Sequence, residues 1–174
     1  MACVMFVGDS HLDAVRGARL AALEAAVGSR VANLAVGGSG VYDVPAQLAG
    51  APGDVDRVVL SLGTNDCAPW KAIPFQEFEP AFAALLAELP GRLLYLAPPG
   101  VDESRLGPDD PTLAGVARYT EVARAAVARR GGVTLDSPAV LAQLGVGAFV
   151  EDGVHLTGRA YELLLAELAV MLTT

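Results

Sequence analysis

Short apolar runs that stop at glycine or proline alternate along this chain with stripes of helical period. The first run, Cys3 to Val7, is apolar throughout and reads as a strand buried on both faces. Gly8 breaks it and Asp9-Ser10 follow. One amphipathic helix is then expected from near Leu12, with Leu12, Val15, Leu20, Leu23 and Val27 on one side and Gly28 as its stop. A second strand is expected from about Arg30 to Val36, ending at Gly37-Gly38-Ser39-Gly40, and a short helix around Val44 to Leu48. The third strand covers 57 to 62 and runs into Gly63-Thr64-Asn65-Asp66.

A Pro-punctuated loop, 67 to 78, precedes a helix expected to begin at Pro80, with Phe82, Leu85, Leu86 and Leu89 on one face. The fourth strand, 92 to 97, ends at Pro98-Pro99, and a turn-rich segment follows. Asp110 is expected to cap a long helix starting at Pro111, with Gly131 beyond its basic end. The fifth strand is 133 to 136, and Ser137-Pro138 opens one or two helical turns. In the last helix Tyr161, Leu164, Leu165, Leu168, Met171 and Leu172 form an i, i+3, i+4, i+7 stripe.

Strands alternating with helices predict an α/β domain, a five-stranded parallel sheet covered on both faces, within a single unit of residues 1–174. The expected strand order is 2-1-3-4-5, which puts the first strand at the switch point where such sheets bind ligands. Ser10 then stands at the carboxyl end of that strand. The loops after the second and third strands flank it, and Asp152-Gly153-Val154-His155 folds back over the same edge.

Composition narrows the partners. The chain is 53% hydrophobic, enough for a full core. With 12 basic and 20 acidic residues its net charge is −8, which repels phosphate backbones and argues against nucleic acid as a partner. No basic amphipathic helix offers itself to a membrane surface, and no apolar run reaches the roughly 18 residues of a membrane span. The two cysteines, Cys3 and Cys67, form no disulfide framework. The chain opens without a basic segment, and its first apolar run ends at Ser10. A cytoplasmic location is the expectation.

A serine hydroxyl needs a base to become a nucleophile, and the chain has only two histidines. His11 is adjacent to Ser10, where neighbouring side chains diverge. His155 has Asp152 three residues before it, close enough for the carboxylate to fix one ring nitrogen and leave the other for Ser10. The candidate triad is Ser10, Asp152 and His155. Oxyanion donors are expected from the Ser10 N–H, a glycine N–H in the loop after the second strand, and the Asn65 amide.

Four blocks in order resemble the SGNH hydrolases, the GDSL-type esterase/lipase superfamily, over almost the whole chain. They are Gly8-Asp9-Ser10, Asn33 to Gly38, Gly63-Thr64-Asn65-Asp66, and Asp152 to Thr157. The resemblance implies a three-layer α/β/α flavodoxin-like fold, Gly38 as the oxyanion glycine, and hydrolysis of small acyl esters without metal or cofactor. Its usual Leu or Ile after the serine is His11 here. Asp9, His11 and Trp70 are expected substrate contacts, although Asp9 also reads as a brace for its loop. An acyltransferase would share every one of these residues.

Other classes fit less well. A dinuclear phosphoesterase takes more histidines than two. A flavin- or phosphate-binding module would need more than Gly37 to Gly40, which lacks the third glycine of a dinucleotide fingerprint and the lysine of a P-loop.

Overall fold

The computed structural model describes residues 3–174. Five strands, β1 (Cys3–Gly8), β2 (Arg30–Asn33), β3 (Val55–Ser61), β4 (Arg92–Leu96) and β5 (Val133–Leu135), form one parallel sheet in the order β2-β1-β3-β4-β5. Strand alternation divides the core in two. Met5 and Val7 of β1 face one way with Val58, Leu60 and Tyr95, beneath α3 (Val44–Leu48), α4 (Phe75–Glu88) and α5 (Leu113–Arg129). Val4 and Phe6 face the other way with Val59, Leu94 and Leu96, beneath α1 (Ser10–Asp13), α2 (Ala18–Val27), α6 (Ser137–Leu141) and α7 (Gly158–Thr173). This is the three-layer α/β/α arrangement expected from the alternating pattern. Among the described residues no helix is long and apolar enough to cross a membrane.

Three helix boundaries differ from expectation, each for a tertiary reason. The helix expected from Leu12 to Val27 is two helices. The Asn33 side-chain amide takes the carbonyls of Leu12 and Val15 at 2.7 and 2.9 Å, and Arg16 reaches across to the Ala35 carbonyl at 2.9 Å. The two Asn33 bonds satisfy carbonyls that an unbroken helix would have used. Helix α4 begins at Phe75 rather than Pro80, because Phe75 and Phe78 join Phe82 in packing against the Tyr119 and Tyr95 rings. Pro80 sits inside the helix on its exposed side, where its missing N–H costs one bond. Helix α5 is capped by Thr112, whose hydroxyl accepts from the Gly115 N–H at 3.0 Å, while Asp110 instead accepts from Gly107 at 2.7 Å. The second strand is also shorter than 30 to 36, although Leu34 and Val36 still donate to the carbonyls of Phe6 and Gly8.

Every loop that follows a strand lies at the carboxyl edge of the sheet, and buried amides tie these loops together. Gln47 on α3 accepts from the Gly8 N–H at 2.8 Å and donates to the Gly8 carbonyl at 2.9 Å and the Ser39 hydroxyl at 3.0 Å. One side chain thus joins the end of β1 to the glycine loop after β2. Gln47→Ala strands the buried Gly8 N–H and is expected to lower stability by about 2–3 kcal/mol. Urea unfolding should show a reduced midpoint with an unchanged slope.

Candidate active site

Ser10 opens α1 immediately after β1, with Asp9 as the cap whose carboxylate accepts from the His11 N–H at 3.1 Å. At this first helical position the Ser10 N–H has no intrahelical acceptor and faces the positive end of the turn. Gly38, in the loop after β2, has a φ of 77°, a left-handed conformation that glycine adopts without strain. Asp13 fixes the preceding residue by accepting from the Gly37 N–H at 3.0 Å, and Lys71 donates to the Gly38 carbonyl at 3.2 Å. The loop after β3 carries Asn65, whose side-chain nitrogen donates one hydrogen to the Ser39 carbonyl at 2.9 Å. Its second hydrogen is left for the cleft.

Asp66 anchors that loop from below. It is fully buried, and its two oxygens accept from the Val41 N–H at 2.7 Å and the Gly63 N–H at 2.9 Å. Burial pushes its carboxyl up to about 6 against the pull of those two bonds, and the nearby Asp9 charge adds to the rise.

Asp152 and His155 come from a hairpin-like loop closed by Val150 donating to the Leu156-adjacent carbonyl of His155 at 2.9 Å and by the Phe149–Leu156 bridge. The Asp152 carboxylate lies 2.6 Å from His155 Nδ1 and accepts from the backbone N–H groups of Val154 and His155, both at 2.9 Å. Partial burial alone would raise this carboxyl, but the His155 ring and the two N–H donors hold it at about 2. The loop is braced from the far side. Asp102 N donates to the Gly153 carbonyl at 2.7 Å, Arg105 pairs with Asp102 at 2.8 Å, and Arg105 donates to the Val150 carbonyl at 2.8 Å.

Ser10, Gly38, Asn65, Trp70, Asp152 and His155 line one cleft of about 340 Å³. Two expected contacts do not reach it: Asp9 and His11 are 0% and 1% exposed and lie beneath the cleft, a correction to their reading as substrate contacts. Trp70 is 53% exposed on its rim. Arg105 and Asp110, from the turn-rich segment after β4 that the sequence places beside the site, also line the wall, as do Pro111 and Val154, which nothing local in the sequence marked. Cys67 stays outside the cleft wall, and burial pushes its thiol up to about 12, an unreactive state.

A cleft at the carboxyl edge of a β2-β1-β3-β4-β5 parallel sheet, walled by the segments after β1, β2, β3 and β4 and by one returning loop, is the architecture of the SGNH hydrolases. The family model of the GDSL-like Lipase/Acylhydrolase family matches residues 6–163, and the chain belongs to that family. Among solved structures, the lipase/acylhydrolase from Enterococcus faecalis superposes with a TM-score of 0.84 at 24% identity, over 99% of this chain and 96% of that one. A variant of an acetyl xylan esterase from Geobacillus stearothermophilus gives 0.77 at 20% identity, over 98% and 94%. An alpha/beta hydrolase from the metagenome of Lake Arreo, Spain, gives 0.76 at 18% identity, over 99% and 96%. A search of curated proteins finds no match.

The raised Asp66 carboxyl has a thermodynamic consequence. Folded protein holds a proton up to about pH 6 that the unfolded chain, with an ordinary aspartate near 3.9, releases earlier, so this residue's contribution to stability falls as pH rises through that window. Asp66→Asn removes the titration, although its amide sets a donor against a backbone N–H. The stability advantage of the natural protein over this variant is expected to shrink by about 2–3 kcal/mol between pH 4 and 6.5. Denaturant titrations of both proteins across that range measure it.

Proposed function

We propose that this protein hydrolyses carboxylic esters of small, neutral acyl substrates through an acyl-enzyme on Ser10. The observation that carries this reading is the meeting of Ser10, Gly38, Asn65 and His155 in one cleft, with Asp152 held 2.6 Å from His155 Nδ1. With that nitrogen committed to the carboxylate, Nε2 serves as the base that takes the Ser10 proton. The hydroxyl oxygen attacks the ester carbonyl, and the developing negative charge is met by the Ser10 N–H, the Gly38 N–H and the free hydrogen of the Asn65 amide. The imidazolium then gives its proton to the departing alcohol. Water, deprotonated by the same ring, releases the acid and restores the serine. Asp152 stays ionised throughout, which suits its low carboxyl pKa.

The acyl-enzyme is the step most open to test. An organophosphonate probe is expected to add one equivalent of mass, located on the peptide containing Ser10. Labelling that persists in Ser10→Ala would overturn the assignment of the nucleophile.

Asn65 is proposed to act on transition-state charge. Asn65→Ala is expected to lower kcat by roughly 100- to 1,000-fold with little change in KM. A normal kcat with a raised KM would instead make Asn65 a binding residue.

A further inference from the structure

Directly beneath Ser10 lies a buried aspartate–histidine pair that the proposed chemistry does not use. His11 Nδ1 is 3.3 Å from Asp9 Oδ1, with both side chains sealed from solvent. The backbone carbonyl of Val154, the residue before His155, also faces the His11 ring. A carboxylate and a carbonyl are pure acceptors. Neutral imidazole carries one N–H, so only the imidazolium can offer a donor to both. Neither ring nitrogen nor Asp9 Oδ2 makes a hydrogen bond of good geometry. The attraction is therefore chiefly that of a cation for the oxygens on either side, at a depth where water screens it little.

We infer that His11 is a positioning residue: as an imidazolium between the Asp9 carboxylate and the Val154 carbonyl, it holds the loop carrying Asp152 and His155 against the strand end carrying Ser10. The inference rests on the ester-hydrolase reading for what the loop does, but not for the clamp itself. Chain geometry supports it. His11 also accepts, through its carbonyl, from the Tyr161 hydroxyl of α7 at 3.1 Å, so the residue is fixed from a third side. The Asp152–His155 pair is half exposed and short in sequence. Its distance from Ser10 is therefore set by what the loop rests on, and His11 supplies that support on the Ser10 side as Arg105 does on the other.

Several groups set the charge of His11. Burial favours its neutral form, but the Asp9 carboxylate opposes this most strongly. The Val154 carbonyl and the Asp152 charge act in the same direction, and its pKa is raised above the ordinary histidine value. Asp66, from the loop after β3, is close enough to interact with Asp9. From α7 comes the Tyr161 hydroxyl, and from α2 Arg19, which lies 4.6 Å from the Tyr161 ring centroid. Asp9 and Asp152 are the charges that favour the cation.

The test has two arms. Because the chain has two histidines, nitrogen NMR of histidine-labelled protein, assigned with His155→Ala, isolates the His11 ring. Both ring nitrogens are expected to carry protons at pH 7, and a neutral ring at that pH overturns the clamp. In the second arm, His11→Leu is expected to lower kcat on a neutral acetyl ester by about 10- to 100-fold with KM unchanged, as a displaced base does. Amide hydrogen exchange across 149–157 should quicken while exchange within α7 does not. Wild-type kcat together with wild-type loop exchange overturns the inference. Should His11→Leu fail to fold, the natural protein decides: protection factors across 149–157, corrected for the intrinsic pH dependence of exchange, should fall when His11 loses its second proton at alkaline pH, and loop protection indifferent to that titration overturns the clamp. A natural protein without ester hydrolysis refutes the proposed function, while the ring charge and loop exchange still decide the clamp.

Discussion

The site depends on how closely β1 and β3 approach at Gly8. A side-chain carbon on Gly8 would fall 2.0 Å from the Ser61 carbonyl oxygen, and the residue's φ is 128°. No other residue type fits there without moving one of the strands. The Asp9 N–H then donates to that Ser61 oxygen at 3.0 Å, and both polar groups of Gly8 are held by Gln47. With the strand end so fixed, Ser10 has one place to stand. It opens the first helical turn over the gap between the glycine loop and the Asn65 loop. The packing of two central strands is thereby converted into the direction of one hydroxyl.

Beneath that hydroxyl the structure is acidic and dry. Asp9 and Asp66 are both fully buried, an arrangement that would be costly if either lacked compensation. Asp66 is compensated by two backbone N–H groups and holds the Asn65 loop to the start of the segment leading into α3. Asp9 is compensated by the cap of α1 and by His11. The two carboxylates are thus used to orient backbone. Their burial explains why a serine and an amide exposed to the cleft can be held rigidly on loops.

The strands and the four polar blocks were legible in the sequence because each is local, and the strand order followed from the topology that alternating strands and helices adopt. A buried strand is a run of apolar residues, and each block sits where one such run stops. Helix boundaries were less legible where distant groups took over the backbone. Nothing near Leu12 announces that Asn33 will cap its carbonyl, and nothing near Asp110 says that Thr112 will outcompete it for α5. Asp9 and His11 show the same limit in the site. Sequence places them beside the nucleophile, but the sharp turn at Ser10 sends the serine into the cleft and its neighbours below. The acidic loop from Asp102 to Asp110, read along the chain, is a cluster of negative charge. Folded, its members are internal partners: Asp102 for Arg105, Glu103 for the Leu113 N–H, Asp110 for the Gly107 N–H.

That conversion of surface charge into bracing bears on the base as well. The Asp152–His155 pair is complete within four residues, and three donors hold its carboxylate, so its internal geometry needs no help from the rest of the fold. Its placement does. A side-chain carbon on Gly153 would lie 2.7 Å from the Asp102 carbonyl, so the loop sits flush against the segment after β4. Arg105 then grips the carbonyls of Phe149 and Val150. The nucleophile is positioned by strand packing and the base by loop bracing. The two are made in different parts of the chain and meet only at the edge of the sheet. The precision of their meeting is set by the weakest brace, which makes the contacts around Val154 and Arg105 matter as much as the triad residues themselves.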